Sequence, residues 1–350
     1  MQNFQEIVDT LEADLKIVDA TILEFAQGKS PLIQEISEHL IASGGKRVRP
    51  ILLILAAQIC GTKSGNSHHD LAAAVELIHS ATLLHDDVVD ASQIRRGKKT
   101  ANAIWDNKIS ILVGDYLFSI AFQLMVRCKN LRVLDLLAKA SSVMADGEVM
   151  QLQNSNDVAL SQEKYFEIIF GKTAVLFSAA CESGALINNR PESEVAMLRE
   201  FGKNLGIIFQ IVDDTLDYSS QTSVLGKEIG GDFFEGKVTL PIILLYAKAD
   251  ETEQKLIAEI FAKNFSGNFP GNFPGNLPGN LPGNLTSDEK NQNDFAIILA
   301  LLKKYDGLGM AKDMALSHHK LAVENLKTFP DSPSKQGLLT VLDHSFSRIS

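Results

Sequence analysis

Cysteine is scarce in this chain and widely scattered. Cys60, Cys128 and Cys181 are the only three in 350 residues. An odd number with no CxxC pair argues against a disulfide framework and against a cysteine-based structural zinc site. A reducing, cytoplasmic compartment fits best. Basic residues are also outnumbered, and the net charge is -10. Nothing in that balance suggests a nucleic-acid surface. The opening MQNFQEIVDTLEADLK has neither a basic start nor an apolar stretch, so it does not read as a secretory signal. The longest apolar run is about residues 51–60, interrupted by Gln58. A membrane span needs about 20 apolar residues, so none is expected, and membrane contact would be peripheral. GxxxxGK[ST] and GxGxxG motifs are missing, which leaves nucleotide cradles unsupported. No Ser-His-Asp or Cys-His nucleophile can be identified.

Proline is sparse and unevenly placed. There is none between Pro50 and Pro191, nor between Pro191 and Pro241. Interior proline costs a helix about 3 kcal/mol, so these stretches permit long helices. Leu, Ala, Glu and Lys fill them, all strong helix formers. Apolar residues recur at helical spacing from Leu71 through Val75 and Ile78, and over residues 107–128, 131–153, 163–188 and 193–218. No alternating strand pattern appears. The expectation is an all-α chain: one domain over residues 1–350, with more than ten helices.

One segment breaks the pattern. Residues 267–285 read GNFP GNFP GNLP GNLP GNL. Pro-Gly favours turns, and Gly and Asn resist helix. The repeat is too short for a solenoid, whose periods start at about 20 residues. It reads as a low-complexity insert in a surface loop, with helix resuming near Asp294.

Acidic residues are clustered in two places. Leu84-His85-Asp86-Asp87-Val88-Val89-Asp90 closes the helix begun near Leu71. Asp86 and Asp90 fall on one helical face, about 6 Å apart. Gln210-Ile211-Val212-Asp213-Asp214-Thr215-Leu216-Asp217 repeats the spacing near the end of another proline-free helix. One DDxxD reads readily as capping or solvated aspartates. Two copies on apolar helices call for compensation, because unpaired buried charge is costly. Hard carboxylate oxygens suit Mg²⁺, which completes its shell with phosphate oxygens and water. Two such helices facing one another across a cavity would form a metal-clamped diphosphate site.

Cationic elements accompany them. Gly44-Gly45-Lys46-Arg47-Val48-Arg49-Pro50 precedes a helix, Arg95-Arg96-Gly97 follows the first acidic cluster, Gly171-Lys172-Thr173 lies mid-helix, and Gly226-Lys227 and Gly236-Lys237 follow the second cluster. Each alone reads equally well as a solvated loop charge. Together, cations beside glycines are what a diphosphate needs: multiple donors and close backbone approach. A diphosphate so held can leave as pyrophosphate without a protein nucleophile.

The set GGKRVRP, LLHDDVVD, RRG, GKT, FQIVDDTLD and LGKEIGGDFFEGKVTLP, in this order, resembles the trans-isoprenyl diphosphate synthase (polyprenyl synthetase) family. The resemblance runs from about Asp9 to the C-terminus, apart from the 267–285 insert. Residues 76–103 look particularly like the long-chain, octaprenyl-type members. It implies the isoprenoid synthase fold, a helical bundle around a central cavity. It also implies Mg²⁺-dependent condensation of isopentenyl diphosphate onto an allylic prenyl diphosphate such as farnesyl diphosphate. By the same resemblance Asp86, Asp87 and Asp90, with Asp213, Asp214 and Asp217, are metal ligands or their supports. Lys46, Arg49, His79 and Arg96 match the isopentenyl diphosphate site. Arg95, Lys172, Lys227 and Lys237 match contacts to the allylic diphosphate. Thr173 and Gln210 match polar groups beside the developing carbocation. Gly230-Gly231-Asp232 stands where relatives often carry Gly-Asp-Asp, which leaves a ligand role for Asp232 unsupported. A homodimer and several Mg²⁺ per site are implied by resemblance alone.

Ala81 and Thr82 lie just over one turn before Asp86, on the wall a growing chain would follow. Both are small, where bulky aromatics in the family stop elongation early. A long product of about octaprenyl size is therefore expected, serving a quinone side chain such as that of ubiquinone. Three other readings remain. A class I terpene cyclase shares DDxxD but needs no second diphosphate site, against Lys46, Arg49 and Arg96. A phosphohydrolase of the HD type would use His85-Asp86 without a second DDxxD. A non-catalytic subunit of a heteromeric synthase would be expected to lack the acidic motifs.

Overall fold

A computed structural model describes residues 3–42, 45–62, 67–95, 97–219, 229–263 and 287–349, apart from the side chains of 41–42 and 287–291. The 267–285 repeat, Arg96 and Lys227 lie outside the described residues. In chain order the helices are α1 (Phe4–Thr10), α2 (Glu12–Phe25), α3 (Pro31–Ala42), α4 (Val48–Ile59), α5 (Ser67–Val89), α6 (Ala101–Trp105), α7 (Asn107–Arg127), α8 (Leu131–Gln153) and α9 (Gln162–Ile169). A π-helical turn, Phe170–Ala174, joins α9 to α10 (Val175–Ile187). Then follow α11 (Glu192–Asp217), α12 (Gly231–Phe234), α13 (Leu240–Lys248), α14 (Glu251–Lys263), α15 (Ser287–Lys304), α16 (Gly307–Leu326) and α17 (Pro333–Ser347). The all-α expectation of more than ten helices holds.

Proline marks helix starts, as its fixed φ and missing N–H favour. Pro31 opens α3, and Pro241 and Pro333 sit in the first positions of α13 and α17. Strand is confined, among the described residues, to β1 (Ile94–Arg95) and β2 (Lys98–Lys99), an antiparallel pair. Sequence pattern missed this pair because two-residue strands carry no periodicity. Gly97, at φ 75°, supplies the left-handed turn residue between them.

Two compact units are present: Met1–Glu148 with Glu167–Val212 and Ala315–Ser350, and Val149–Phe166 with Asp213–Met314. In the first, α5 packs against α7, α4 and α2, and α10 against α4. α5 is buried on every side from His68 to Ile78, the mark of a central helix. Ile78, Leu77 and Leu84 are almost wholly buried, and each such side chain contributes about 1.5–3 kcal/mol. This packing fixes the polar end of α5. In the second unit, Phe233 packs its ring 5.4 Å from Phe261 and 5.3 Å from Phe295, and α13 lies against α15.

Among the described residues, two helical stretches are long and apolar enough to pass as membrane spans, Asn107–Arg127 and Gln162–Ile187. This differs from the expectation that none would qualify, because low charge density meets the test without an unbroken apolar run. The second stretch is 89% buried within the protein, as a core helix is.

Candidate active site

In the first unit, the last turn of α5 carries Asp86 and Asp87, with Asp90 just beyond it. The Asp90 N–H donates to the Asp86 carbonyl at 2.8 Å, so the turn continues through Asp90 and the two carboxylates share a face, as their spacing implies. Asp87 points differently. It is buried, and Arg95 Nε donates to its Oδ1 at 2.8 Å, with Nη2 of the same guanidinium also at 2.8 Å. Asn102 Nδ2 donates to the Asp87 carbonyl at 3.1 Å. Arg95, matched by resemblance to a diphosphate contact, thus rests on the first acidic motif.

Glu148 on α8 joins this cluster, and sequence reading missed it. Burial pushes the Asp86 carboxyl up to about 7, Glu148 and Asp90 add to the rise, and Lys172 and Arg95 oppose it. Lys172 lies 2.8 Å from Glu148 Oε2. Glu148 and Lys172 are 24 residues apart, too far for any local motif to link them. Backbone contact links them instead. A Cβ built on Gly147 would fall 2.5 Å from the Lys172 backbone nitrogen, and one on Gly171 would fall 3.0 Å from both Gly147 Cα and the Val143 carbonyl. Only glycine lets α8 and the π-turn approach so closely. π-turns recur at functional sites, and this one presents Lys172 and Thr173. Thr173 Oγ1 donates to Gln210 Oε1 at 2.7 Å, bringing together the two polar groups expected to act side by side.

A cleft in the same unit is lined by His39, Arg47, Glu76, His79, Asp87 and Arg95, among others. His79 therefore does face a cleft. Arg47, not singled out by sequence, occupies it as well: it adopts φ 48° at the start of α4, with Nη1 2.8 Å from Glu76 Oε1 and Nη2 3.1 Å from Asp19 Oδ1. Arg49 stacks its guanidinium 4.5 Å from the centre of the Phe177 ring. Lys46 Nζ lies 2.9 Å from His344 Nε2. Neither Lys46 nor Arg49 lines the cleft. Ala81 is fully buried, and Thr82 Oγ1 donates to the His79 carbonyl at 2.9 Å.

In the second unit, the end of α11 carries Asp213, Asp214 and Asp217. Tyr165 Oη donates to Asp214 Oδ2 at 2.6 Å, both side chains being buried. The Asp232 N–H donates to Asp217 Oδ2 at 2.9 Å, and the Gly230 N–H donates to the Asp217 carbonyl at 2.9 Å. Gly230, at φ 87°, makes this return possible: a Cβ there would also fall 2.6 Å from Phe295. Asp232 is therefore a member of the cluster. Burial drives its carboxyl well above the usual range, Asp214 and Asp217 add to this, and Lys237 opposes it. Tyr165 was missed for the same reason as Glu148, since its partner lies 49 residues away.

Among the described residues, each cluster has more carboxylates than neighbouring cations. Burial, with neighbouring carboxylates adding to it, raises both the Asp86 and the Asp232 carboxyl, and a hard divalent cation at either cluster would favour the ionised form. The residues present fit such an ion.

The polyprenyl synthetase family model matches residues 30–268. The chain belongs to that family. It is 35% identical to octaprenyl diphosphate synthase of Haemophilus influenzae, over 99% of this chain and 98% of that protein. The crystal structure of a decaprenyl diphosphate synthase from Rhodobacter capsulatus superposes with a TM-score of 0.88 at 40% identity, covering 99% of both chains. A polyprenyl synthase from Caulobacter crescentus CB15, complexed with calcium and isoprenyl diphosphate, gives 0.87 at 39% identity, covering 99% of this chain and 98% of that one. As a member of the polyprenyl synthetase family, this chain is a prenyl-transferring enzyme with the isoprenoid synthase fold.

Proposed function

We propose that this prenyltransferase condenses isopentenyl diphosphate onto an allylic diphosphate, farnesyl diphosphate by preference, to make an all-trans product near octaprenyl length. The observation that carries the reading is the Asp86, Asp90 and Glu148 cluster beside Lys172, an excess of carboxylate suited to Mg²⁺. Asp86, Asp90 and Glu148 would hold the ion in the first unit, and Asp213, Asp214, Asp217 and Asp232 in the second. Bound Mg²⁺ would neutralise the allylic diphosphate and favour its departure.

The protein's own groups supply the rest. Lys172 adds positive charge for the departing pyrophosphate, the role that the family resemblance also gives Lys227 and Lys237. His79 lines the cleft that would take isopentenyl diphosphate, and the resemblance assigns Lys46, Arg49 and Arg96 to the same substrate. Arg95 holds Asp87 and so braces the first acidic turn. Thr173 and Gln210 orient their oxygens toward the allylic carbon as it gains positive charge. The allylic C–O bond breaks, its electron pair leaving with pyrophosphate. The isopentenyl double bond then forms the new C–C bond, and pyrophosphate takes up the released proton. No side-chain base is needed, and positioning and electrostatics provide the rate.

Ala81 is small and fully buried, and the long-product reading rests on its size. The names of the relatives above, octaprenyl and decaprenyl synthases, support a long product. Such a product suits a quinone side chain. A cytoplasmic homodimer with peripheral membrane contact at product release completes the reading. The test is incorporation of radiolabelled isopentenyl diphosphate into organic-extractable product. Incorporation that requires both substrates supports the reading. Pyrophosphate release from the allylic substrate alone would favour a cyclase.

A further inference from the structure

Arg47, the residue just before α4, has an unusual backbone. Its φ of 48° and ψ of 34° fall in the left-handed region that glycine or asparagine enters more readily. Its carbonyl still accepts from the Ile51 N–H at 3.0 Å and so opens the helix. Such a conformation persists only where its surroundings hold it. Here the side chain is held from two other helices. The guanidinium lies 2.8 Å from Glu76 Oε1 on α5 and 3.1 Å from Asp19 Oδ1 on α2. The Arg47 and Glu76 side chains are only 13% and 8% exposed, so water screens this pair little. The ion pair also connects the groups expected to take isopentenyl diphosphate. Lys46 precedes Arg47 and reaches His344, and Arg49 follows two residues on and stacks on Phe177. Glu76 and His79 are three apart on α5, hence on one face, and both line the cleft with Arg47. The start of α4 has no acidic residue in its first turn and no side-chain cap. Lys46, Arg47 and Arg49 instead crowd the positive end of the helix dipole, an arrangement that a bound anion relieves.

We propose that Arg47 is a positioning residue for isopentenyl diphosphate. Clamped by Glu76 and Asp19, it fixes the left-handed turn that sets the directions of Lys46 and Arg49, and it ties both to the helix that carries His79. The inference rests on the reading that Lys46, Arg49 and His79 take this substrate. Arg47 acts through them and does not itself touch the diphosphate, because its guanidinium is already engaged by two carboxylates. A planar guanidinium can span two carboxylates at fixed angles, which the single ammonium of lysine cannot do as well. Loosening the clamp would let the turn relax from its left-handed conformation and misplace two cations at once. Misplaced binding groups weaken one substrate selectively, and the allylic substrate, held at the acidic clusters, is spared.

The test is steady-state condensation by the full chain with Mg²⁺, varying isopentenyl diphosphate and farnesyl diphosphate in turn. Arg47→Lys keeps the charge but not the two-carboxylate clamp, and Glu76→Gln keeps Arg47 but removes its partner. Each should raise KM for isopentenyl diphosphate roughly ten-fold or more and change KM for farnesyl diphosphate by less than about two-fold. Loss of folded protein alone would lower the apparent kcat and leave both KM values where they are. The double variant Arg47→Met/Glu76→Met leaves neither of these charges buried alone, and serves if the single variants fail to fold. Its rise in KM should be no larger than that of either single variant, since the two residues act as one unit. A KM raised by Arg47→Lys but not by Glu76→Gln would make Arg47 a direct substrate contact and overturn the clamp. Lys46→Gln is the reference. If it raises KM for isopentenyl diphosphate while the Arg47 and Glu76 variants do not, the positioning role fails and the substrate site stands. If Lys46→Gln also leaves that KM unchanged, the substrate site falls and takes the inference with it.

Discussion

Asp86 should make the metal-free enzyme less stable as pH rises. Its carboxyl moves from 3.8 in the unfolded chain to about 7 in the folded one, with burial as the main cause. Between these values the folded state binds more protons than the unfolded state, so stability is fully present below about pH 4 and falls as pH climbs to about 7. The difference is about 3 units, and one unit is about 1.4 kcal/mol, giving at most about 4 kcal/mol. Solvent screening at a half-buried carboxyl reduces this to roughly 2–3 kcal/mol. Asp86→Asn removes the charge. It should leave metal-free stability nearly unchanged near pH 4 and raise it by roughly 2–3 kcal/mol near pH 8. Mg²⁺ competes with the proton for the same carboxylate. Its stabilising effect on the wild type should therefore shrink as pH falls below about 7, and should be much smaller at every pH in the variant. Urea unfolding in EDTA and in Mg²⁺, across this pH range, reads all of these. A variant less stable than wild type near pH 8 without metal would refute the argument, as would an equal response to Mg²⁺.

Three further outcomes follow from the packing. Tyr165→Phe deprives Asp214 of its buried donor, and should cost about 1–3 kcal/mol of stability while raising the Mg²⁺ concentration needed for half-maximal activity. Gly147→Val drives a side chain into the Lys172 backbone; thermal unfolding should show a loss of about 1–3 kcal/mol or more, with a large drop in kcat. Ala81→Phe should shorten the product without abolishing condensation, as chromatography of the products would show; unchanged length would place the floor of the pocket elsewhere.

Much of the helical framework was legible because, among the described residues, proline falls at helix starts and in loops. Residues 107–128 and 193–218 match α7 and α11 to within a residue. Asp86 and Asp90 were legible because their spacing is local. What was not legible depends on approach between distant segments. Glu148 meets Lys172 because Gly147 and Gly171 allow backbone contact, and nothing in ADGEVMQL announces that partner. Tyr165 reaches Asp214 across 49 residues. The π-turn at Phe170–Ala174 has helical composition throughout, so pattern alone gave an unbroken helix. Asp232 looked doubtful because Gly231 stands before it, yet the turn at Gly230 returns its backbone to Asp217.

The most direct measurement is the size of the product. Purified protein is given farnesyl diphosphate, radiolabelled isopentenyl diphosphate and Mg²⁺, with and without EDTA, and the products are separated by chromatography. A ladder that ends near the octaprenyl product and vanishes with EDTA is expected. A short product would overturn the argument from Ala81 and Thr82 while keeping the reaction. No condensation under any condition would contradict the proposed reaction itself.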